Sequence, residues 1–167
     1  LLDKGADPNH VDNLRNTPLL VLVHGEETEN GLKCLDLLLA AGASSTTFNI
    51  DQHNSVMEGG VQGIINYFRR LLKTGSNINL KNRYGNTVLH LLCLSQDVPN
   101  RKEIIELALK FGADLGIKNK EGLTPSERAI KAGNKYLLDL LRPPVPAPDT
   151  VKPDQNPAPA PPSNPNP

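Results

Sequence analysis

The chain has 167 residues and carries 18 basic and 18 acidic side chains, a formal net charge of zero. A domain that binds DNA or RNA shows a basic excess, so this balance argues against a nucleic-acid partner. No apolar run is long enough for a transmembrane helix and no signal peptide begins the chain, so membrane insertion is not expected.

In chain order, Leu1, Leu2, Asp3 and Lys4 read as the last turn of an upstream helix, closed by Gly5. A turn-rich stretch then leads to Thr17 and Pro18. Thr caps a helix N-terminus with its hydroxyl, and Pro in the first turn loses no needed N–H. The spacing predicts a first helix over 18–24 and a second over 30–41, with Leu32, Leu35, Leu38 and Leu39 on one face. Gly42 restarts the pattern with helices over 55–62 and 64–74, the latter patterned by Ile64, Ile65, Phe68, Leu71 and Leu72. Gly75 opens a third unit, with helices over 88–95 and 101–111, where Ile104, Ile105, Leu107 and Ala108 fall at helical spacing. Gly112 opens a fourth, with helices over 125–132 and 135–142.

The four glycines lie 37, 33 and 37 residues apart, and twelve residues after them stand Thr17, Asn54, Thr87 and Thr124. Such a period marks a solenoid, in which a unit buries its apolar face only against its neighbours. The third unit runs from Gly75 through Asn79, Tyr84, Gly85, Thr87 and His90. The first opens Gly5-Ala6-Asp7-Pro8-Asn9 and reaches Thr17-Pro18-Leu19-Leu20. The fourth has Gly112-Ala113-Asp114 and then Gly122, Thr124 and Pro125.

These units resemble ankyrin repeats, whose pattern is a G-A-D-x-N turn, a hairpin finger and T-P-L-H at the start of the first helix. Over residues 1–142 the resemblance implies an all-α ankyrin-repeat solenoid of helix-turn-helix units joined by hairpin-like finger loops. The units are expected at about 5–41, 42–74, 75–111 and 112–142, after the upstream turn 1–4. The resemblance also gives His90 a structural hydrogen bond across its turn. Gly85 and Gly122 fit a turn that needs positive φ.

Unit two departs from the pattern. Its first helix begins Asn54-Ser55-Val56-Met57 and continues with Gly59 and Gly60. Each glycine inside a helix costs about 1 kcal/mol relative to alanine. The finger 46–52 lacks a turn glycine, and finger one has Arg15 at that place. Irregular fingers are therefore expected in units one and two, with 55–62 the least stable helix. Gly59, Gly60 and Gly63 lack the preceding strand and the lysine of a phosphate loop.

Units one and three are each four residues longer than unit two, and 25–29 and 95–100 lengthen the turn between their helices. Both insertions should emerge on one edge, either as tolerated surface loops or as an added contact ridge. Ser126, Glu127 and Arg128 give unit four a polar capping face, while Leu137, Leu138, Leu140 and Leu141 close the core. From Pro143 to Pro167, eleven of 25 residues are proline and no apolar residue exceeds valine, which implies a disordered proline-rich C-terminal tail or linker. No basic residue flanks its Pro-x-x-Pro spacings at the distance an SH3 ligand normally uses.

Cys34 and Cys93 sit within helices and read as buried thiols of a reducing compartment. His10, His24, His53 and His90 have no metal-ligand spacing, and no nucleophile–base motif is present. The chain thus reads as non-catalytic, with no metal and no cofactor.

In an ankyrin stack the partner lies in the groove between fingers and first helices. The places that would face it are Val21 and His24, Glu58 and Val61, Leu91 and Leu94, and Arg128 and Lys131. Finger tips add Leu14, Ile50, Arg83, Tyr84, Lys120 and Glu121. Arg83 and Tyr84 stand out as an anchor, because Tyr and Arg dominate interface energies, unless Tyr84 packs on its own finger. The resemblance implies a monomeric, cytoplasmic protein-interaction scaffold with a protein partner. The alternative is the targeting arm of a larger multidomain protein. In sequence style it resembles secreted bacterial effectors of the host cytoplasm, whose enzymatic activity would lie outside these residues.

Overall fold

The computed structural model describes residues 2–95 and 97–142. Leu1, Gln96 and the proline-rich stretch 143–167 lie outside the described residues, and with them the expected tail. The helices are α1 (Pro18–His24), α2 (Glu29–Ala40), α3 (Ser55–Val61), α4 (Ile65–Lys73), α5 (Val88–Leu94), α6 (Arg101–Lys110) and α7 (Pro125–Lys131). Two 3-10 turns, Leu2–Lys4 and Lys135–Leu137, flank them, and the described residues contain no strand.

The residues twelve after each of the four glycines are the N-caps of the four first helices. Thr17 Oγ1 accepts the Leu20 N–H at 3.2 Å, Asn54 Oδ1 the Met57 N–H at 2.9 Å, and Thr124 Oγ1 the Glu127 N–H at 3.3 Å. At Thr87 the His90 ring joins the cap: its Nδ1 accepts the Thr87 N–H at 3.2 Å. An N-cap fixes a helix start by satisfying otherwise orphaned donors, so these starts are set locally.

First helices stack in one row, α1 on α3 on α5 on α7, and second helices in another, α2 on α4 on α6. Between the rows runs one continuous core, from Leu19 and Leu35 through Phe68 and Leu71 to Leu92, Ile104, Ala129 and Leu141. The result is an all-α solenoid.

Three expectations are corrected. The segment 135–142 is not an α-helix: Lys135–Leu137 form a 3-10 turn and further turns follow. Leu137 and Leu141 nonetheless stay buried. So short a segment nucleates poorly, and Pro143 disfavours helical backbone at Arg142. The fingers of units one and two are regular. Each finger closes on the same backbone bond, Asp12 N–H to Asn16 O, Asn49 to His53, Asn82 to Asn86 and Asn119 to Leu123, at 3.0–3.1 Å. Arg15 (φ 61) and Gln52 (φ 65) take the left-handed conformation held by Gly85 and Gly122 (both φ 77). Helix α3 is correctly placed but ends at Val61, and every residue from Ser55 to Gly60 is buried where it packs on α1, α4 and α5. Gly60 permits the approach of Val88 on α5, since a methyl group on Gly60 would stand only 2.7 Å from Val88 Cγ2. Cys34 is exposed, in a depression of about 440 Å³ lined wholly by unit one, because α2 turns the adjacent Leu35 inward.

The first insertion closes on the first turn of α4 and the second on the α3–α4 turn. Tyr67 donates its hydroxyl to Glu26 O at 3.2 Å, and the Asn66 N–H donates to Glu27 at 3.2 Å. From the other side Asn100 Nδ2 donates to Gly63 O at 3.1 Å, beside Pro99. The extra residues therefore tie neighbouring units to unit two.

Candidate partner-binding surface

The finger tips are held by side chains that imitate a turn. Asp12 Oδ1 accepts the N–H groups of Leu14 and Asn16, both at 2.8 Å. Asn82 does the same for Tyr84 and Asn86 at 3.0 Å, and Asn119 for Glu121 and Leu123 at 3.0 and 3.1 Å. Asn and Asp suit this place because the short side chain reaches its own backbone two residues on. Fingers one and two are joined by Ile50 N–H to Leu14 O at 3.0 Å and Asn49 Nδ2 to Asn16 Oδ1 at 3.2 Å. Fingers three and four repeat this with Lys120 N–H to Tyr84 O at 3.0 Å and Asn119 Nδ2 to Asn86 Oδ1 at 2.8 Å. Among the described residues no such bond joins fingers two and three. His53 stands where Asn16 and Asn86 stand, and its ring is turned to Glu58 instead.

The predicted residues fall into three groups. At finger three, Tyr84 is half-exposed and the Arg83 guanidinium lies 4.7 Å from its ring centre and donates to its hydroxyl. Leu94 is 42 % exposed, whereas Leu91 is only 7 % exposed. Leu91 is therefore not available to a partner, since α5 is enclosed between α3 and α7. At unit four, Glu121 is bonded by Lys131 and, at 3.2 and 3.4 Å, by Arg128, so part of the basic character expected there is neutralised. The Lys131 bond lowers the Glu121 pKa below its ordinary value, desolvation opposes this and the Arg128 charge adds to it. Lys120 is exposed at the finger tip.

The third group was not legible as a site. Exposed Val21 and His24 line a cleft of about 550 Å³ between fingers one and two and helices α1 and α3, together with Leu14, Asp51, His53 and Glu58. Glu58, expected to face the groove openly, is buried, 5 % exposed. His24 Nδ1 lies 2.7 Å from Glu58 Oε1, His53 Nδ1 lies 2.9 Å from Oε2, and Gln62 Nε2 donates to Oε1 at 2.8 Å. Burial alone would raise the Glu58 pKa, but the bonds from His53, Gln62 and His24 outweigh it and lower it to about 2. An ionised carboxylate only accepts, so both imidazoles hold a proton on Nδ1. The one signal in the sequence was a carboxylate at a first-helix position where Val21 and Leu91 stand in neighbouring units.

His90 has the structural bonds the sequence pattern implied. Its Nδ1 accepts from Thr87, so its Nε2–H donates to Leu123 O at 3.0 Å. Burial lowers its pKa against the pull of the Leu123 bond, with Arg128 and Lys81 adding repulsion. Burial likewise pushes the Cys93 thiol up to about 12, against the opposing charge of Arg101. Among the described residues no group of three or more His, Cys, Asp or Glu is arranged to hold a metal, and no helix is long and apolar enough to cross a membrane.

The ankyrin repeat family model matches residues 84–120, from the tip of finger three to the tip of finger four. A putative ankyrin repeat protein of Rickettsia felis is 42% identical over 74 residues, 43% of this chain and 32% of the relative. One of Rickettsia bellii is 31% identical over 90 residues, covering 53% of this chain and 51% of the relative. Human SH3 and multiple ankyrin repeat domains protein 2 is 28% identical over 144 residues, 85% of this chain but 7% of that protein. The chain thus spans about half or less of the length of each of these relatives. Two stacked rows of capped helices, regular fingers and these similarities agree: the chain belongs to the ankyrin-repeat family.

Proposed function

We propose that this chain is a non-catalytic scaffold that binds a protein partner along its finger tips and first helices. One observation carries this: where the exposed apolar surface lies. Nine large apolar side chains are exposed among the described residues, and seven of them are on fingers or first helices: Val11, Leu14, Val21, Ile50, Tyr84, Leu94 and Ile130. Exposed apolar side chains gathered on one part of a fold and bordered by charge, here Arg83, Lys120 and Lys131, are the make-up of an interface. Ankyrin repeats in general are protein-interaction modules. In this proposal the chain is a monomer acting in the cytoplasm without a cofactor, and its repeat units run to residue 142 ahead of a proline-rich linker.

The test is affinity capture with mass spectrometry, comparing the chain with a Tyr84→Ala/Leu94→Ser double variant. Leu94 is chosen because Leu91 is buried. Far-ultraviolet circular dichroism should be unchanged while the proteins captured by the parent chain are lost. An unchanged set of captured proteins would overturn the proposal.

A second proposal is that the repeats are the targeting arm of a larger protein, a secreted bacterial effector with its activity outside these residues. The observation in its favour is that relatives from two Rickettsia species extend well beyond the aligned residues. Sequencing the full reading frame and assaying any further domain for catalysis decides it.

A further inference from the structure

We propose that the stack carries a hinge between units two and three, about which units one and two move as one body and units three and four as another. The finger edge opens and closes, and the edge formed by α4 and α6 is the pivot. This concerns how the repeats are joined and does not depend on the docking face proposed above.

The same four hydrogen bonds join unit one to unit two and unit three to unit four. Asn9 Nδ2 donates to Gly42 O at 3.1 Å, and Asn9 Oδ1 accepts the Ser44 N–H at 2.7 Å. Asn79, at the matching place, does the same for Gly112 O and the Asp114 N–H, both at 2.9 Å. The other two bonds are those between finger tips, Ile50 to Leu14 and Asn49 to Asn16 in the first pair, Lys120 to Tyr84 and Asn119 to Asn86 in the second. Among the described residues none of the four joins unit two to unit three.

The gap has its cause in two side chains. Thr46 stands where Asn9 and Asn79 stand, and its hydroxyl is bonded to Ser44 Oγ at 2.9 Å. A hydroxyl lacks the separate donor and acceptor ends with which an amide spans two backbone groups. His53 stands where Asn16 and Asn86 stand, and its Nδ1 lies 2.9 Å from Glu58 Oε2. The Asn82 amide is thereby left without the acceptor that Asn49 and Asn119 have.

Units two and three are held at the other edge. Helix α3 packs on α5 and α4 on α6, Asn100 Nδ2 donates to Gly63 O at 3.1 Å, and Arg69 Nη2 lies 3.2 Å from Glu103 Oε1. In a solenoid each unit touches only its neighbours, so no distant contact strengthens a weak junction. Ties confined to one edge let the opposite edge swing, which is the arrangement of a hinge. The junction separates exposed Leu14, Val21 and Ile50 on one body from Tyr84, Leu94 and Ile130 on the other, so its motion changes the spacing of these side chains.

The test is pulsed electron paramagnetic resonance on the full chain carrying paired spin labels, with exposed Cys34 replaced by serine and buried Cys93 left in place. Labels at Leu14 and Tyr84 span units one to three along the finger edge, and labels at Ale40's row are placed at Ala40 and Lys110 to span the same units along the helix edge; all four positions are exposed. Hinge motions run over microseconds to milliseconds, and freezing records their populations as a spread of distances. The finger-edge distribution should be broader than the helix-edge one. Thr46→Asn/His53→Asn, which supplies both missing amides, should narrow the finger-edge distribution and leave the helix-edge one as it was. Thr46→Asn alone, which keeps His53 beside Glu58, should narrow it in part, and it carries the test where the double variant does not fold. A finger-edge distribution no broader than the helix-edge one, or one that Thr46→Asn leaves unchanged, overturns the proposal.

Discussion

Gly60 of α3 lies so close to α5 that a methyl group on it would stand 2.7 Å from Val88 Cγ2 and 3.3 Å from the Phe68 ring. Its neighbour Gly59 has nothing nearer than 3.8 Å. The same substitution should therefore act in opposite directions at adjacent residues. Gly60→Ala should destabilise by about 1–3 kcal/mol through overpacking against stiff, buried Val88. Gly59→Ala should be neutral or stabilise by up to about 1 kcal/mol through helix propensity. Urea unfolding midpoints measure both, and a stabilised Gly60→Ala would refute the account of α3.

Ser55 occupies the first position of α3, fully buried, with its hydroxyl unpaired. At the matching position α1 and α7 have Pro18 and Pro125. The residue before it, Asn54, already has φ −96 and ψ 174, the extended backbone that a following proline requires. Ser55→Pro should stabilise by about 0.5–1 kcal/mol by restricting the unfolded chain at no cost to the helix. A lowered thermal midpoint in differential scanning calorimetry would contradict this.

Arg15 and Gln52 hold left-handed backbone that costs an L-residue about 1–2 kcal/mol, more than the extra chain entropy of glycine. Arg15→Gly and Gln52→Gly should each stabilise by about 0.5–1 kcal/mol. Gly85→Ala is the opposing control. At φ 77 its Cβ would stand 2.8 Å from the Lys120 nitrogen, so a loss of about 1–3 kcal/mol is expected. Chemical denaturation of the three variants, ranked by midpoint, checks the order.

Glu58 makes stability depend on pH. Its pKa is lowered from 4.5 to about 2 in the folded chain, so the unfolded chain takes up the proton first as pH falls. The contribution is fully present above about pH 4.5 and is lost between there and about pH 2. Its size is about 3 kcal/mol by linkage. His90, whose pKa is lowered from 6.5, adds a loss that begins at higher pH, because its buried ring resists the proton that the unfolded chain accepts. Glu58→Gln should lower stability at neutral pH and flatten the acid limb below pH 4.5, leaving the His90 limb in place. Urea titrations across pH separate the two, and an unchanged acid limb would refute the assignment.

Much of this architecture is legible in the chain because it is encoded locally. A threonine or asparagine twelve residues after each glycine fixes a helix start, and the first-helix starts agree with the spacing to the residue. Leucine and isoleucine periodicity identifies the stripe that packs inward. The fingers of units one and two were misread for the same local reason. Arg15 or Gln52 scores as a missing turn until the finger hydrogen bonds hold it.

By itself the sequence determined the period, the helix starts, the class of fold and the family, all of which rest on contacts a few residues apart. Only the tertiary structure decided which of those residues meet. Leu91 became buried because α5 lies between two helices, and Cys34 became exposed because α2 turns Leu35 inward. Glu58 became the partner of His24, 34 residues away, and of His53, in a cleft that no spacing announced. Local hydrogen bonds are specified by adjacent residues, whereas burial and charge pairing across units are set by how closely one helix can approach the next. Here that approach is set by Gly60 against Val88.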